Sequence, residues 1–215
     1  GIPVMAIGYH VTIYKGVQIG SGPDIEPYVS LGKPVGEHSE LIIGANFSAG
    51  PGVVVRAGTI IGDDVNLIAQ VFVGNKNTIG DRVRIGPAST LSYGVTVGSD
   101  VRIQSNVQLE RIVIGDNVFV GPKVVVIDDL HPACPKYQEC CDKSVVEHHV
   151  SIGAGVYIGP GITIGHHTQI CAGSLLLEDV PPYSVMVGMP ARRIKDFRTL
   201  PCPPGLYKRA FEYWD

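Results

Sequence analysis

The fold is decided by a stretch in which an aliphatic residue returns every six positions: Ile79-Gly80-Asp81-Arg82-Val83-Arg84-Ile85-Gly86-Pro87-Ala88-Ser89-Thr90-Leu91. Glycine follows the aliphatic residue twice, and a β-branched residue, Val83, stands four positions after Ile79. A period of six matches neither the 3.6-residue period of a helix nor simple alternation along a strand. It favours a short strand and a turn that together form one side of a repeated coil.

The same interval extends through most of the chain. Of 26 positions in phase, which we call anchors, 25 are Ile, Leu or Val, and the exception is Ala49. The phase slips by one residue after Leu109, so that the next anchor is Ile114. The anchors are Ile7, Ile13, Ile19, Ile25, Leu31, Ile43, Ala49, Val55, Ile61, Leu67, Val73, Ile79, Ile85, Leu91, Val97, Ile103, Leu109, Ile114, Val120, Val126, Val146, Ile152, Ile158, Ile164, Ile170 and Leu176.

Each anchor and the residue four positions later are predicted to point inward. Three such sides make a triangular coil of about 18 residues, and stacked coils pair their strands in parallel. Aromatic residues are only 7% of the chain, in keeping with a narrow interior. A β-sandwich is the alternative, but a sandwich has no reason to keep a strict six-residue phase. The sequence therefore predicts an all-β, single-stranded parallel β-helix.

Two segments leave the repeat, and a third follows it. We predict a β-helix domain over residues 1–190 with excursions at 33–42 and 128–145, and a C-terminal tail at 191–215 that forms a short helix or a strap. Insertions in a solenoid protrude, and protruding loops on rigid scaffolds often carry function.

Composition excludes several classes of partner. The formal net charge of −3 gives no reason to expect nucleic acid or an anionic membrane surface. No apolar run approaches the length needed to span a bilayer, and the first residues lack a secretory signal pattern. We expect a cytoplasmic protein. The five cysteines are an odd number and do not form the framework of a small secreted domain.

Several motifs identify a family resemblance that covers nearly the whole chain. The chain resembles the hexapeptide-repeat acyltransferases in Ala172-Gly173-Ser174, in Asp179-Val180-Pro181-Pro182-Tyr183 and in Val187-Gly188-Met189-Pro190-Ala191-Arg192. Residues 103–107 and 116–122 look like the branch that N-acetylates nucleotide-linked amino sugars. The resemblance implies transfer of an acetyl group from acetyl-CoA to such a sugar, in polysaccharide biosynthesis.

The same resemblance implies a left-handed coil and a homotrimer with acetyl-CoA bound between subunits. The pantetheine arm of the cofactor would lie near Ala172, Gly173 and Ser174. Arg192, Arg193 and Lys195 are candidates for its phosphates, because guanidinium and ammonium groups pair well with phosphate. A solvated tail is the alternative reading of these three charges.

Two groups are candidates for the chemistry at the acceptor. His131 lies in the protruding loop beside Asp128 and Asp129, and a carboxylate near an imidazole raises its basicity. We therefore expect His131 to act as the general base, with the two aspartates supporting it. In the resembling branch an Asn at the position of Asn106 lies near the acceptor amine, which it would hold by a hydrogen bond.

The loop also offers a possible metal site. His131, Cys134, Cys140 and Cys141 lie within a short stretch and could bind a structural zinc ion, although the spacing matches no standard finger. Free thiols or one disulfide remain the alternatives, and a zinc-bound His131 could not serve as a base. The pairs His148-His149 and His166-His167 fall on turns, where we expect them to face solvent or a neighbouring subunit.

Other functions remain on the same scaffold. An O-acetyltransferase, or a transferase of another acyl group, is the nearest alternative. A metal enzyme resembling the γ-type carbonic anhydrases lacks the expected spacing of histidines here, and a non-catalytic scaffold would not need a coenzyme A groove.

Overall fold

The structure is a computed structural model that describes residues 6–37, 40–131, 133–136, 139–202 and 204–214. These residues form three sheets that make the walls of a triangular prism. The chain visits the sheets in turn, so that one coil contributes one strand to each wall. The prism is a left-handed parallel β-helix of about 9 turns, as predicted.

The strands are short, and most have two or three residues. The first sheet runs in the order β1 (Ala6–Ile7), β4 (Asp24–Ile25), β7 (Ser48–Ala49), β10 (Asn66–Leu67), β13 (Arg84–Ile85), β16 (Arg102–Ile103), β19 (Phe119–Val120), β22 (Val150–Ile152), β25 (Thr168–Ile170), β27 (Ser184–Gly188) and β28 (Ala191–Asp196). The second sheet runs in the order β2 (Thr12–Ile13), β5 (Ser30–Lys33), β8 (Val54–Arg56), β11 (Phe72–Val73), β14 (Thr90–Leu91), β17 (Gln108–Leu109), β20 (Val125–Val126), β23 (Tyr157–Ile158) and β26 (Leu175–Leu176). The third sheet runs in the order β3 (Val17–Ile19), β6 (Leu41–Ile43), β9 (Thr59–Ile61), β12 (Thr78–Ile79), β15 (Thr96–Val97), β18 (Ile112–Ile114), β21 (Ser144–Val146) and β24 (Thr163–Ile164).

Parallel pairing joins each coil to the next. Ile85 pairs with Ile103, its counterpart in the following coil, and the Gly86 amide donates to the Ile103 carbonyl at 2.8 Å. Ile103 pairs in turn with Val120, and this step along the chain is one residue shorter. The predicted slip is therefore one residue missing from the turn at Glu110 and Arg111, which leaves the inward positions aligned.

The anchors fill the interior as predicted. From Ile25 to Leu176 every anchor is at most 3% exposed. Ile7 and Ile13 are 45% and 41% exposed, because no coil precedes theirs in the described part of the chain.

Phe47 departs from the expectation that aromatics do not fit the prism. Its side chain is fully buried in the core, four residues after the anchor Ile43. Ala49, the anchor that breaks the aliphatic pattern, lies two residues away in the same core cluster. The small residue and the large one compensate in volume, which close-packed interiors require.

Glycine after an anchor allows the coils to stack closely. A Cβ on Gly80 would lie 2.8 Å from the backbone carbon of Gly98 in the next coil. Two residues later the turn takes a left-handed conformation, for example at Arg82 (φ 53°) and Asp100 (φ 60°). The second of these features was not predicted from the sequence.

The excursions are narrower than predicted. Lys33 belongs to β5 and Leu41 to β6, so the first excursion spans residues 34–40, of which 38 and 39 lie outside the described residues. The second spans 127–143, because Ser144 and Val145 belong to β21.

The chain after residue 190 begins as a strand and not as a helix. β28 pairs antiparallel with β27 and extends the first sheet. The 3₁₀ helices Phe197–Thr199 and Glu212–Trp214 follow it. Among the described residues no helix is long and apolar enough to cross a membrane.

Phe47 provides a test of the core. We expect Phe47→Ala to lower the free energy of unfolding by about 3–5 kcal/mol, because the coils cannot close over the lost volume. Phe72→Ala, at an outward position of β11 that is only partly buried, is the matched control and should cost clearly less. Denaturant unfolding measures both, and equal losses would contradict the assignment of Phe47 as a core residue.

Candidate functional site

The loop of residues 127–143 is tied at its base to the turn at Arg111. The Arg111 guanidinium lies 3.5 Å from the Asp128 carboxylate and donates to the Cys141 carbonyl at 3.4 Å. The Asp142 amide donates to the Asp128 carbonyl at 2.8 Å, and Asp129 and Cys141 form an antiparallel bridge. The loop is therefore held closed at its base, whereas its tip projects from the prism.

His131 lies on the exposed part of this loop. The Asp129 carboxylate accepts a hydrogen bond from the His131 backbone amide at 2.6 Å, and the His131 carbonyl accepts from the Cys134 amide at 2.8 Å. Among the described residues neither Asp128 nor Asp129 bonds to the imidazole ring. The aspartates therefore shape the loop around His131, which differs from the expected carboxylate–imidazole pair.

The loop cysteines and His131 do not form a compact cluster in the described part of the chain. All five cysteines of the chain lie in its described part, and none is in a disulfide. The pKa of the Cys141 thiol is raised, first by burial and then by the nearby Asp128 carboxylate. The donor atoms of His131, Cys134, Cys140 and Cys141 do not converge as a metal-sized group within the described residues. A zinc ion at this loop stays a prediction without structural support.

An apolar groove runs along the second sheet beside the loop. Its volume is about 230 Å³. Outward side chains of three consecutive strands, Val125, Tyr157 and Leu175, form its floor, since they pair in register. Ile127 and Leu130 of the loop close one side and remain largely exposed themselves. The groove can hold a flexible, largely apolar ligand chain.

The opposite edge of the second sheet carries a strip of backbone almost without side chains. Ala172 and Gly173, which are predicted to lie near the pantetheine arm of the cofactor, are exposed there. The Gly173 amide donates to the Ala154 carbonyl at 2.8 Å, which places Ala154-Gly155 one coil below Ala172-Gly173. Gly173 has φ +70°, and a Cβ built on it would meet no atom within 4 Å. A ligand can therefore approach this backbone closely.

Ser174 belongs to the same turn but faces the other way. Its side chain is fully buried, and its hydroxyl donates to the Cys171 carbonyl at 2.8 Å. Its carbonyl accepts from the Tyr157 amide at 2.9 Å. Ser174 thus closes the turn from within and leaves the outer surface to Ala172 and Gly173.

Asn106 lies on the same edge as this strip, but further toward the N-terminal end. Its anchor, Ile103, pairs in turn with Val120, Ile152 and Ile170. Three coils at about 4.8 Å each place Asn106 roughly 14 Å from Gly173. Asn106 and the His131 loop lie at opposite edges of the second sheet, so one chain does not bring these two predicted residues together.

The basic residues lie at the C-terminal end of the prism. Arg192 and Arg193 line a cavity of about 200 Å³ together with Met186 and Glu178. The Arg193 guanidinium lies 3.5 Å from the Asp196 carboxylate, and the Arg192 guanidinium donates a hydrogen bond to the Ala191 carbonyl. Lys195 is exposed on β28. An anion can reach this cluster, although Glu178 opposes it.

Sequence reasoning missed parts of this surface. Ala154 and Gly155 could have been found by stepping back one full coil from Ala172 and Gly173. The groove residues Tyr157 and Leu177 gave no such signal, because outward positions of a coil follow no apolar rule.

Arg111 tests the attachment of the loop. We expect Arg111→Gln to speed amide exchange across residues 127–143 roughly fivefold, because contacts worth about 1 kcal/mol at the loop base are lost. Arg82→Gln removes the exposed pair with Asp100 at 2.7 Å and should leave this exchange unchanged. Hydrogen exchange with mass spectrometry measures both variants. An unchanged exchange rate across residues 127–143 in Arg111→Gln would show that Arg111 does not hold the base of the loop.

Comparison with known proteins gives family matches in two parts of the chain. Residues 143–177 match the bacterial transferase hexapeptide (six repeats), and residues 76–111 match the hexapeptide repeat of succinyl-transferase. The galactoside O-acetyltransferase of Escherichia coli is 35% identical over 89 residues, which is 40% of this chain and 44% of that protein. The chain thus spans less than half the length of the curated relatives it matches first.

Similar solved structures cover more than half of this chain. A hexapeptide-repeat acetyltransferase from Vibrio cholerae O1 biovar eltor, complexed with acetyl coenzyme A, is 28% identical with a TM-score of 0.52 over 57% of this chain and 71% of that one. A maltose O-acetyltransferase from Clostridium difficile 630 is 32% identical with a TM-score of 0.51 over 55% and 68%. A variant of AntD, an N-acyltransferase from Bacillus cereus, in complex with dTDP-4-amino-4,6-dideoxyglucose and coenzyme A is 27% identical with a TM-score of 0.56 over 62% and 81%. Together with the coil of six-residue repeats, these matches show that the chain belongs to the hexapeptide-repeat acyltransferase family.

Proposed function

We propose that this chain transfers an acetyl group from acetyl-CoA to the amine of a nucleotide-linked amino sugar, in a site between the subunits of a homotrimer. The observation that carries the proposal is the combination of three features on the second sheet. It combines an apolar groove, a strip of small residues at Ala172 and Gly173, and a loop that presents His131. The similarity to AntD, solved with an amino-sugar nucleotide and coenzyme A, supports the acceptor class.

The groove and the strip suit the donor. A pantetheine arm is a long, flexible chain with two amides, and the open space at Gly155 and Gly173 lets it approach the backbone of the strip without steric hindrance. The adenosine phosphates would reach Arg192, Arg193 and Lys195, where cations face solvent. The similarity to an acetyltransferase solved with acetyl coenzyme A supports this donor.

A homotrimer would complete the site. Asn106 and His131 lie at opposite edges of the second sheet of one chain, so a neighbour's loop would have to meet this chain's Asn106. Exposed Ile127, Leu130 and Leu177 beside the groove are apolar surface of the kind that subunit interfaces bury. In this arrangement each active site uses two chains.

The chemistry requires orientation and one proton acceptor. The neutral amine attacks the thioester carbonyl, and a new C–N bond forms as charge builds on the oxygen. The C–S bond then breaks, the amine nitrogen loses a proton to the imidazole of His131, and the leaving thiolate of coenzyme A takes that proton up. Asn106 accepts a hydrogen bond from the amine and holds it in line.

His131 tests this mechanism. We expect His131→Asn to lower kcat about 100-fold with little change in the KM for acetyl-CoA, because general-base catalysis is lost while donor binding remains. His10→Asn, on an exposed turn of the first coil, is the control and should retain full activity. Release of free thiol measures turnover, and a normal rate for His131→Asn would leave the loop histidine without a catalytic role.

Gly173 tests the donor site separately. We expect Gly173→Ala to raise the KM for acetyl-CoA about tenfold, because a methyl group then projects from the strip into the path of the cofactor. Gly205→Ala imposes the same left-handed strain, at φ +70° and with open space around it, in the C-terminal tail. Equal KM values in the two variants would argue against cofactor binding at Ala172 and Gly173.

O-acetylation is the second candidate, and the galactoside and maltose O-acetyltransferases among the similar proteins favour it. A hydroxyl is a weaker nucleophile than a neutral amine and depends more strongly on a base. Assay of amino-sugar nucleotides beside simple galactosides separates the two: thiol release with galactosides alone would replace the amine by a hydroxyl acceptor.

A further inference from the structure

The turns between the third and the first sheet form a column of polar residues that changes character near the C-terminal end. In the earlier coils carboxylates bond from one turn to the next. Asp63 accepts from the Ala45 amide at 2.7 Å, and Asp81 accepts from the Asp63 amide at 2.9 Å. In later coils the residue two positions after the anchor is His148 or His166, and the next residue is also a histidine, His149 or His167.

Coil stacking holds these imidazoles together. Neighbouring coils are about 4.8 Å apart, which is also the distance of ring stacking. The rings of His148 and His166 are 5.1 Å apart and nearly parallel, and those of His149 and His167 are 4.9 Å apart. Within each pair the two Nδ1 atoms are 2.8 Å and 3.0 Å apart. Four imidazoles therefore share a small patch of surface.

Three of the four rings bring a donor atom close to the other two. One ring nitrogen from each of His148, His149 and His167 lies within 4.8 Å of the other two. Nitrogens bound to one zinc ion at about 2.0–2.1 Å are at most roughly 4 Å apart. A bound ion would therefore draw the three nitrogens closer together, and His148 is the exposed one of the three rings.

The C-terminal tail lies directly against this cluster. The Trp214 ring is 5.6 Å from the His149 ring, and a cavity of about 480 Å³ opens between the tail and the first sheet beside His149. The negative charge of Asp116 favours a positive charge at His149, and the Glu147 carboxylate accepts a hydrogen bond from the His166 amide at 2.8 Å. Arg209 lies near His167 and opposes a cation, so the local charge is mixed.

We propose that His148, His149 and His167 bind a divalent transition-metal ion, of the class of Zn²⁺ or Ni²⁺, at the surface between the last coils and the C-terminal tail. Neutral imidazole is a ligand that these ions prefer. Three protein ligands leave one coordination position for water. The ion would link two coils and fix the surface on which Trp214 packs. This site lies on another edge of the prism from the acetyl-transfer groove and does not depend on the proposed function.

The test uses the full chain without any histidine tag, stripped with a chelator and titrated with Zn²⁺ against a chromophoric competitor. We expect one equivalent to bind per chain. The double variant His149→Asn, His167→Asn should bind more than about 100-fold more weakly, a loss beyond that of a group which only orients a ligand. Asparagine keeps the backbone, because Asn117 adopts the same left-handed turn, at φ 55°, one coil earlier.

The control removes the other candidate ligands. A variant with His131→Asn, Cys134→Ser, Cys140→Ser and Cys141→Ser should retain the equivalent, and Zn²⁺ should raise its Tm as it raises that of the wild type. Loss of the ion in this loop variant, or full binding by the double histidine variant, would overturn the proposal. A wild-type chain that binds no ion would leave the four rings as a stack held by hydrogen bonds and would overturn it as well.

Discussion

Backbone pairing at a pitch of one coil is the constraint on which the rest of this molecule depends. The Gly86 amide meets the Ile103 carbonyl at 2.8 Å, the Gln104 amide meets the Val120 carbonyl at 2.9 Å, and the same bond recurs from coil to coil. Its geometry fixes the distance between equivalent residues at about 4.8 Å. Inward positions then form an aliphatic core, and outward positions form columns of side chains that face their counterparts above and below.

The candidate sites are columns of this kind. The strip at Ala154 and Ala172 exists because two successive turns both carry small residues, and the groove floor exists because Val125, Tyr157 and Leu175 stand in register. The histidine cluster arises in the same way, from a pair of residues that is repeated in the next coil. His131 is the exception, since it stands on a loop outside the columns and is held by Arg111 and Asp128 at the loop base.

Much of the fold could be predicted from the sequence, because each anchor occupies an equivalent environment and the choice of residue there is narrow. Ile85, Leu91 and Val97 are buried as predicted, and the slip after Leu109 corresponds to a shortened turn. Phe47 was not expected inside, since exchange of volume with Ala49 is a property of the packed core and not of the repeat. β28 was missed because its partner is β27, and antiparallel pairing of two unequal segments leaves no six-residue phase.

The candidate site could be predicted only in part. Ala172 and Gly173 lie exposed on the outer edge, whereas the inward turn of Ser174 follows from its position four residues after an anchor. The contacts of His131 depend on a loop with no repeat, so sequence neighbours such as Asp129 gave the right proximity but the wrong partner: the backbone amide and not the ring. The histidine pairs were placed on turns correctly, but ring stacking between coils was not anticipated.

The antiparallel direction of β28 also affects whether copies of the molecule can associate end to end. A stack of parallel coils ends in unpaired backbone groups, which invite a second molecule to continue the sheet and so to seed a filament. β28 covers this edge of the first sheet with a strand of reversed direction that carries Arg192, Arg193 and Lys195. A filament would have to add its next coil in the parallel direction, so the reversed and cationic strand at this edge disfavours growth through the first sheet.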